Sequence, residues 1–441
     1  MCMKKITALT VLCIFLSVAT AFSLPINEYV LENGLKVLIV EDHKAPTATF
    51  QIWYRVGSRD EKSGKTGLSH LLEHMMFKGT KNHGPKTFSQ TIKRAGGTDN
   101  AFTSRDYTGY FELLASDRIS LPIDLEADRM TNLILTKDPV LSERDVVTEE
   151  RRLRTEDDPQ SSVFEEVMAA TFKNHPYRRP VIGWMSDLGT LNPEDLLEHY
   201  RTYYAPNNAV IIVVGDVDQK QIMEKIRASF GSIPAGPSIP APVSGEDEQR
   251  GERRVYVKKE AELPYIMTAY KVPNLSHEDG FALDVLGSIL SDGKSSRLYR
   301  TLVYEQQIAI SAWASYEGLY RDPFVFLTGA TAAQGKKIED VERALLEEIE
   351  KIKQALPSAQ EVQRAKNQVE ASFVMQQDSI YMQARTIGSF EMTLGWKFVD
   401  SYLDGIRKVT PEDVSRAARK YLIDERKTTG ILIPIPKEKG S

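Results

Sequence analysis

The chain has 441 residues, 27% of them charged and 41% hydrophobic, and its 56 Lys and Arg against 61 Asp and Glu leave a formal net charge of −5. That composition excludes collagen-like, low-complexity and largely disordered chains, and the acidic balance excludes the basic footprint of a dedicated nucleic-acid binder. At roughly 100–200 residues per domain the length predicts two or three domains, each burying its own core.

Residues 1–21 carry Lys4 and Lys5, an apolar run and Ala19-Thr20-Ala21. This is the pattern of a secretory signal peptide with cleavage after Ala21; the alternative is a retained membrane anchor, for which the run is short. Cys2 and Cys13 both fall in this segment, so the mature chain has no cysteine and depends on core packing alone. Cleavage removes Lys4 and Lys5 and takes the net charge from −5 to −7. No later apolar run is long enough for a stable membrane span, so the expected product is a soluble protein, exported to a periplasm or secreted.

After an Asn33-Gly34 turn, residues 36–41 and 47–56 read as strands. Helical periodicity follows at 66–78, 87–95, 118–135, 142–155 and 161–173. A Pro- and charge-rich stretch, 231–252, reads as a linker, because Pro234, Pro237, Pro240 and Pro242 suit neither a helix interior nor a central strand. The two flanking halves, 22–230 and 253–441, end alike. Asn192-Pro-Glu-Asp-Leu opens a helix to Tyr203 before a strand at 210–214, and Thr410-Pro-Glu-Asp-Val opens one to Tyr421 before a strand at 430–433, both at an offset of 218. The matched spacing predicts a duplication. In the second half Ile338, Val341, Leu345, Ile349 and Ile352 mark a further helix. Few strands between long helices predict an α+β fold of two homologous units, each with helices packed on a largely antiparallel sheet.

Residues 67–79 superpose two helical stripes. Leu68, Leu71, Leu72, Met75 and Met76 form an apolar face, and His70, Glu73 and His74 form the neighbouring one. Imidazoles at i and i+4 lie one turn apart and can converge on one Zn²⁺, with Glu73 between them placed to accept a proton from water. The order, His-x-x-Glu-His, is the inverse of the commoner zinc-protease motif. A catalytic zinc takes three protein ligands, so one more comes from elsewhere. The charged helix at 142–155 offers Glu143 and Glu150, two turns apart on one face, and Glu149 about 100° around the helix. His43, His83, His175, His199 and His277 lack such spacing and read as surface or core histidines.

His70-x-x-Glu73-His74 with Glu150 in a Val-Val-x-x-Glu helix resembles the pitrilysin/insulinase/mitochondrial processing peptidase family of inverted zinc peptidases. Ala95-Gly-Gly-Thr-Asp-Asn-Ala-Phe-Thr103 with Thr108 and Tyr110, His175-Pro-Tyr with Val181-Ile-Gly183, and Tyr204-Ala-Pro-Asn-Asn with Gly215-Asp216 extend the likeness over residues 24–437. The resemblance implies one zinc per chain held by His70, His74 and Glu150, with Glu149 as the second choice of carboxylate, Glu73 as general base, and Glu143 as a carboxylate that positions the site. It also implies that Asn100, Ala101 and Phe102 lie on an edge strand that pairs with an extended peptide substrate. Two departures stand out. Ser288, Ser291 and Asp292 stand opposite His70, Glu73 and His74, so the second unit has no metal site. Val303 and Ile310 stand where many members carry an Arg and a Tyr that hold substrate, with Arg297, Arg300 and Tyr304 nearby but out of register. The expected function is therefore an exported zinc endopeptidase acting on peptides or unfolded segments, as the metal-bearing member of a heterodimer with a homologous Arg/Tyr-bearing chain, or as a homodimer. The alternative is a non-catalytic scaffold subunit that retains the fold.

Overall fold

The computed structural model describes residues 25–241 and 245–436, so the signal-peptide reading of residues 1–21 lies outside the described residues. Among them, no helix is long and apolar enough to cross a membrane.

Two sheets organise the chain. The first comprises β1 (Asn27–Val30), β2 (Lys36–Glu41), β3 (Thr47–Tyr54), β4 (Thr98–Thr103), β5 (Thr108–Ala115) and β6 (Ala209–Gly215), in the order β1-β2-β6-β3-β5-β4. The second comprises β7 (Arg253–Glu260), β8 (Tyr265–Val272), β9 (Ala309–Tyr316), β10 (Phe324–Ala332) and β11 (Lys427–Ile435), in the order β7-β11-β8-β10-β9. Apart from β1 the orders coincide, and each sheet has a single parallel pair in the same place, β2 with β6 and β7 with β11, the remaining pairs being antiparallel. The duplication read from the 218-residue offset is thus a duplication of topology. Its landmarks are the helices Pro193–Tyr203 and Pro411–Tyr421, each opened by a reciprocal capping box, Asn192 with Asp195 and Thr410 with Asp413.

All seven residues of β6, Ala-Val-Ile-Ile-Val-Val-Gly, are buried, as a strand covered on both faces requires. One face carries helices of its own half. The other is covered by the helix Ile380–Thr393 of the second half, whose Ala384, Ile387 and Met392 pack with Leu38, Trp53, Val210 and Ile212. A Cβ on Gly388 would meet the Trp53 ring at 2.4 Å, so this crossing needs a glycine. The exchange is reciprocal. The helix Pro159–Thr171 of the first half lays Val163, Val167 and Met168 on Tyr265, Met267 and Leu432 of the second sheet, where Gly430 leaves room for Val167. Each half therefore lends a helix to the other's sheet.

Charge also crosses. Buried Arg59 reaches Asp106 at 3.0 Å and Asp322 at 2.7 Å. The Tyr177 hydroxyl donates to Asp106 at 2.7 Å, His175 Nε2 lies 3.0 Å from Asp322, and the Arg321 N–H donates to Asp106 at 3.1 Å. Asp106 thus compensates a buried guanidinium while accepting from both halves. Asp106→Ala should lower unfolding stability by about 3–5 kcal/mol, the usual cost of stranding a buried charge, read as a drop in urea midpoint at unchanged slope.

Candidate metal centre

The motif helix Leu68–Met75 starts where Gly67 takes a left-handed φ of 91° that brings it against Ile182 and Gly183. Glu61 caps it, accepting the Gly67 and Ser69 N–H groups at 2.8 Å each. Leu68, Leu71, Leu72 and Met75 enter the first core, and the same rotation turns His70, Glu73 and His74 into a cavity of about 670 Å³.

The helix Lys137–Arg151 packs beside it, and a wide π-helical turn over Arg152–Glu156 follows. From this helix Glu150 Oε2 lies 3.2 Å from His74 Nε2 and 3.9 Å from His70 Nε2. Candidate ligand atoms of His70, His74 and Glu150 all lie within 4.8 Å of one another, the one such group of three His, Cys, Asp or Glu among the described residues. Two turns back on the same face, Glu143 Oε1 lies 3.0 Å from His74 Nδ1, and Lys78 Nζ holds the other Glu143 oxygen at 2.5 Å. Glu149 is turned away, 62% exposed and paired with Arg152. Of the two carboxylates that the sequence leaves open as third ligand, the structure brings Glu150 to the histidines.

The electrostatics follow from this packing. Burial and the neighbouring His74 pull His70 below the usual imidazole range. His74 is desolvated too, but its contacts to Glu143 and Glu150 prevail and push it up to about 9. The His74 contact holds Glu150 below the ordinary carboxylate value. Burial raises Glu73, against the pull of the Thr103 hydroxyl that donates to its Oε2 at 2.5 Å. Two imidazoles whose Nε2 atoms face one carboxylate oxygen form the nitrogen and oxygen donor set that suits zinc. The residues present therefore fit the metal that the motif implies.

Asn100, Ala101 and Phe102 line the same cavity on β4, the terminal strand of its sheet, paired only with β5. Other expected residues are not at the cavity. Val303 packs in the second core, and Ile310 is exposed on β9. Arg297 is paired with Glu361 at 2.7 Å, Arg300 with Glu305 at 2.6 Å, and Tyr304 is 73% exposed. None of these lines the cavity, nor do Ser288, Ser291 and Asp292. His199 and His175 are buried structural groups, the first beside Ser69 Oγ at 3.2 Å, the second on Asp322. Sequence reading missed Thr103 as partner of Glu73, Lys78 as partner of Glu143, and Phe164 and Met168 as cavity wall.

The family model described as insulinase (peptidase family M16) matches residues 36–184, and that of the peptidase M16 inactive domain matches 190–369. A zinc protease of Helicobacter pylori, PqqE, is 33% identical over 416 residues, covering 93% of this chain and 94% of its own. An uncharacterized zinc protease of Streptomyces coelicolor is 29% identical over 420 residues, 93% of this chain and 90% of its own. The crystal structure of a protease from Helicobacter pylori superposes with a TM-score of 0.90 at 32% identity, over 93% of this chain and 99% of that one.

Proposed function

The chain belongs to the pitrilysin/insulinase family of peptidases (peptidase family M16), and from that premise we propose that it is an exported zinc-dependent endopeptidase acting on extended peptides or unfolded segments. One observation carries the reading: His70, His74 and Glu150 converge in the cavity that also holds Glu73 and the edge strand β4. Export rests on the pattern of residues 1–21, and the organisation we propose is a cleaved leader followed by units 22–230 and 253–441 around the stretch 231–252.

His70, His74 and Glu150 would hold the zinc. When bound, it supplies Lewis-acid polarisation of a peptide carbonyl and a lowered pKa for water. Glu143, fixed by Lys78, accepts from His74 Nδ1 and so sets the tautomer that leaves Nε2 free to act as a ligand. Glu73 accepts the proton of the attacking water and returns it to the leaving amine; Thr103 fixes its carboxylate, and burial raises its basicity. The outer edge of β4 offers backbone groups to an extended chain, so affinity comes from main-chain bonds and tolerates varied side chains. Among the described residues no Arg or Tyr of the second half lines this cavity, and we propose that a homologous second chain completes the positioning of substrate.

Metal analysis of the purified protein should give one zinc per chain, falling sharply in His70→Ala and Glu150→Ala but not in Glu149→Ala. Loss of metal in Glu149→Ala with retention in Glu150→Ala reverses the ligand choice.

Glu73→Gln keeps size and hydrogen bonding but accepts no proton. It should keep its zinc and its affinity for peptide while turnover of a denatured-protein substrate falls by about 10²–10⁴. Wild-type turnover in this variant removes Glu73 from proton transfer.

The zinc-loaded chain alone should cleave poorly and gain activity on mixing with a homologous chain that carries the Arg/Tyr pair. Full activity of the isolated chain, abolished by Arg300→Ala or Tyr304→Phe, would show a self-sufficient enzyme instead.

A further inference from the structure

We propose that Arg105 is a carboxylate-recognition residue of the cavity, so that the peptidase selects peptides bearing an acidic group near the bond it cuts. The proposal rests on the reading of the cavity as a peptide site and adds a substrate class to it.

Four arginines are buried among the described residues: Arg59, Arg105, Arg129 and Arg151. Three have carboxylate partners inside the fold. Arg59 has Asp106 and Asp322, Arg129 has Glu126 at 2.5 Å, and Arg151 has Glu165 at 2.7 and 2.8 Å. Arg105 is 8% exposed and has no Asp or Glu within 4.0 Å among the described residues. It is also the one buried arginine of the four that lines the cavity.

Its setting leaves one edge of the guanidinium available. Nε donates to the Tyr177 carbonyl at 3.2 Å, and the plane is flanked by the Phe324 and Phe164 rings, 5.1 and 5.8 Å from Cζ. The two terminal nitrogens have no acceptor among the described residues and are not sealed from solvent, and the residue lines the cavity. These are the nitrogens that grip a carboxylate in two parallel bonds, and a guanidinium cannot shed its charge to relieve burial. The nearby acids are already engaged. Asp106 serves Arg59 and Tyr177, Glu165 serves Arg151, and Glu150 serves His74 and Arg154. A carboxylate partner like those the other three arginines find in the chain can reach Arg105 from the cavity, and on the reading of the cavity as a peptide site what enters it is substrate. A peptide offers two such groups, an acidic side chain or a terminal carboxylate.

The test uses matched peptides with Glu or Gln at each position around the bond, each with a free or an amidated C-terminus. Cleavage is read as kcat/KM, and binding is read by fluorescence anisotropy on the Glu73→Gln protein. A Glu peptide should be favoured by about 10–100-fold over its Gln partner at one position, the range of a charged hydrogen-bonded contact. Arg105→Gln should bring that ratio near one, and Arg105→Lys should restore part of it, keeping charge without the fork. A preference that follows the free C-terminus and not the internal Glu assigns the contact to the terminal carboxylate. Peptides bound and cut without any acid preference, or a preference that survives in Arg105→Gln, overturn this proposal alone. If no peptide is bound or cut, the reading of the cavity falls with it. Should Arg105→Gln fail to fold by thermal melt, the wild-type ratios and Arg105→Lys still decide.

Discussion

One imidazole is touched at both its nitrogens by a single neighbouring helix, and the site is built around that fact. Glu143 and Glu150 are seven residues apart, so two turns of helix, about 10.5 Å of rise, put one carboxylate at each nitrogen of His74. The motif helix can satisfy this only in one rotation, the rotation that buries Leu68, Leu71, Leu72 and Met75. Core packing and ligand geometry are therefore the same constraint. A helix that slipped to bury His74 would lose both carboxylates, and one that exposed it would lose its apolar contacts.

The cavity walls depend on the exchange of helices between halves. The helix that covers the second sheet with Val163 and Val167 also turns Phe164 and Met168 to the cavity, and Phe324 of the second half flanks the Arg105 guanidinium. The Arg59, Asp106, Tyr177 and Asp322 network lies alongside, fixing the β4–β5 loop against the loop before β10. Cavity-lining residues of the first half are in this way held by groups of the second, which among the described residues adds none to the cluster of His70, His74 and Glu150.

Much of this was legible in the sequence where the signal is local. Strands at 36–41 and 47–56 match β2 and β3, the latter ending at Tyr54, and the five helical stretches of the first half match helices within a few residues. The Pro-Glu-Asp openings announced real capping boxes, and the i, i+4 histidines lie on one face as spaced. What was not legible depends on contacts between distant residues. Glu149 and Glu150 differ by about a 100° rotation that spacing alone leaves open; the family resemblance favoured Glu150, and the packing puts it, and not Glu149, beside the histidines. The apolar surface of the helix Ile380–Thr393 carries no mark of which sheet it covers. What sets Arg105 apart is that no carboxylate pairs with it among the described residues, and no motif records an absence.

The exchanged helices tie the order of synthesis to the order of folding. When β6 is complete the first sheet has all its strands, yet Leu38, Trp53, Val210 and Ile212 lack the cover of Ala384, Ile387 and Met392 until Ile380–Thr393 arrives near the end of the chain. A nascent first half therefore carries an apolar, aggregation-prone sheet face from the completion of β6 at Gly215 until Ile380–Thr393 is made, and the second sheet closes on a helix made long before it. The two halves look like a tandem repeat in sequence, yet beside the core of each lies a shared cluster, so excising either half bares an apolar sheet face of the other.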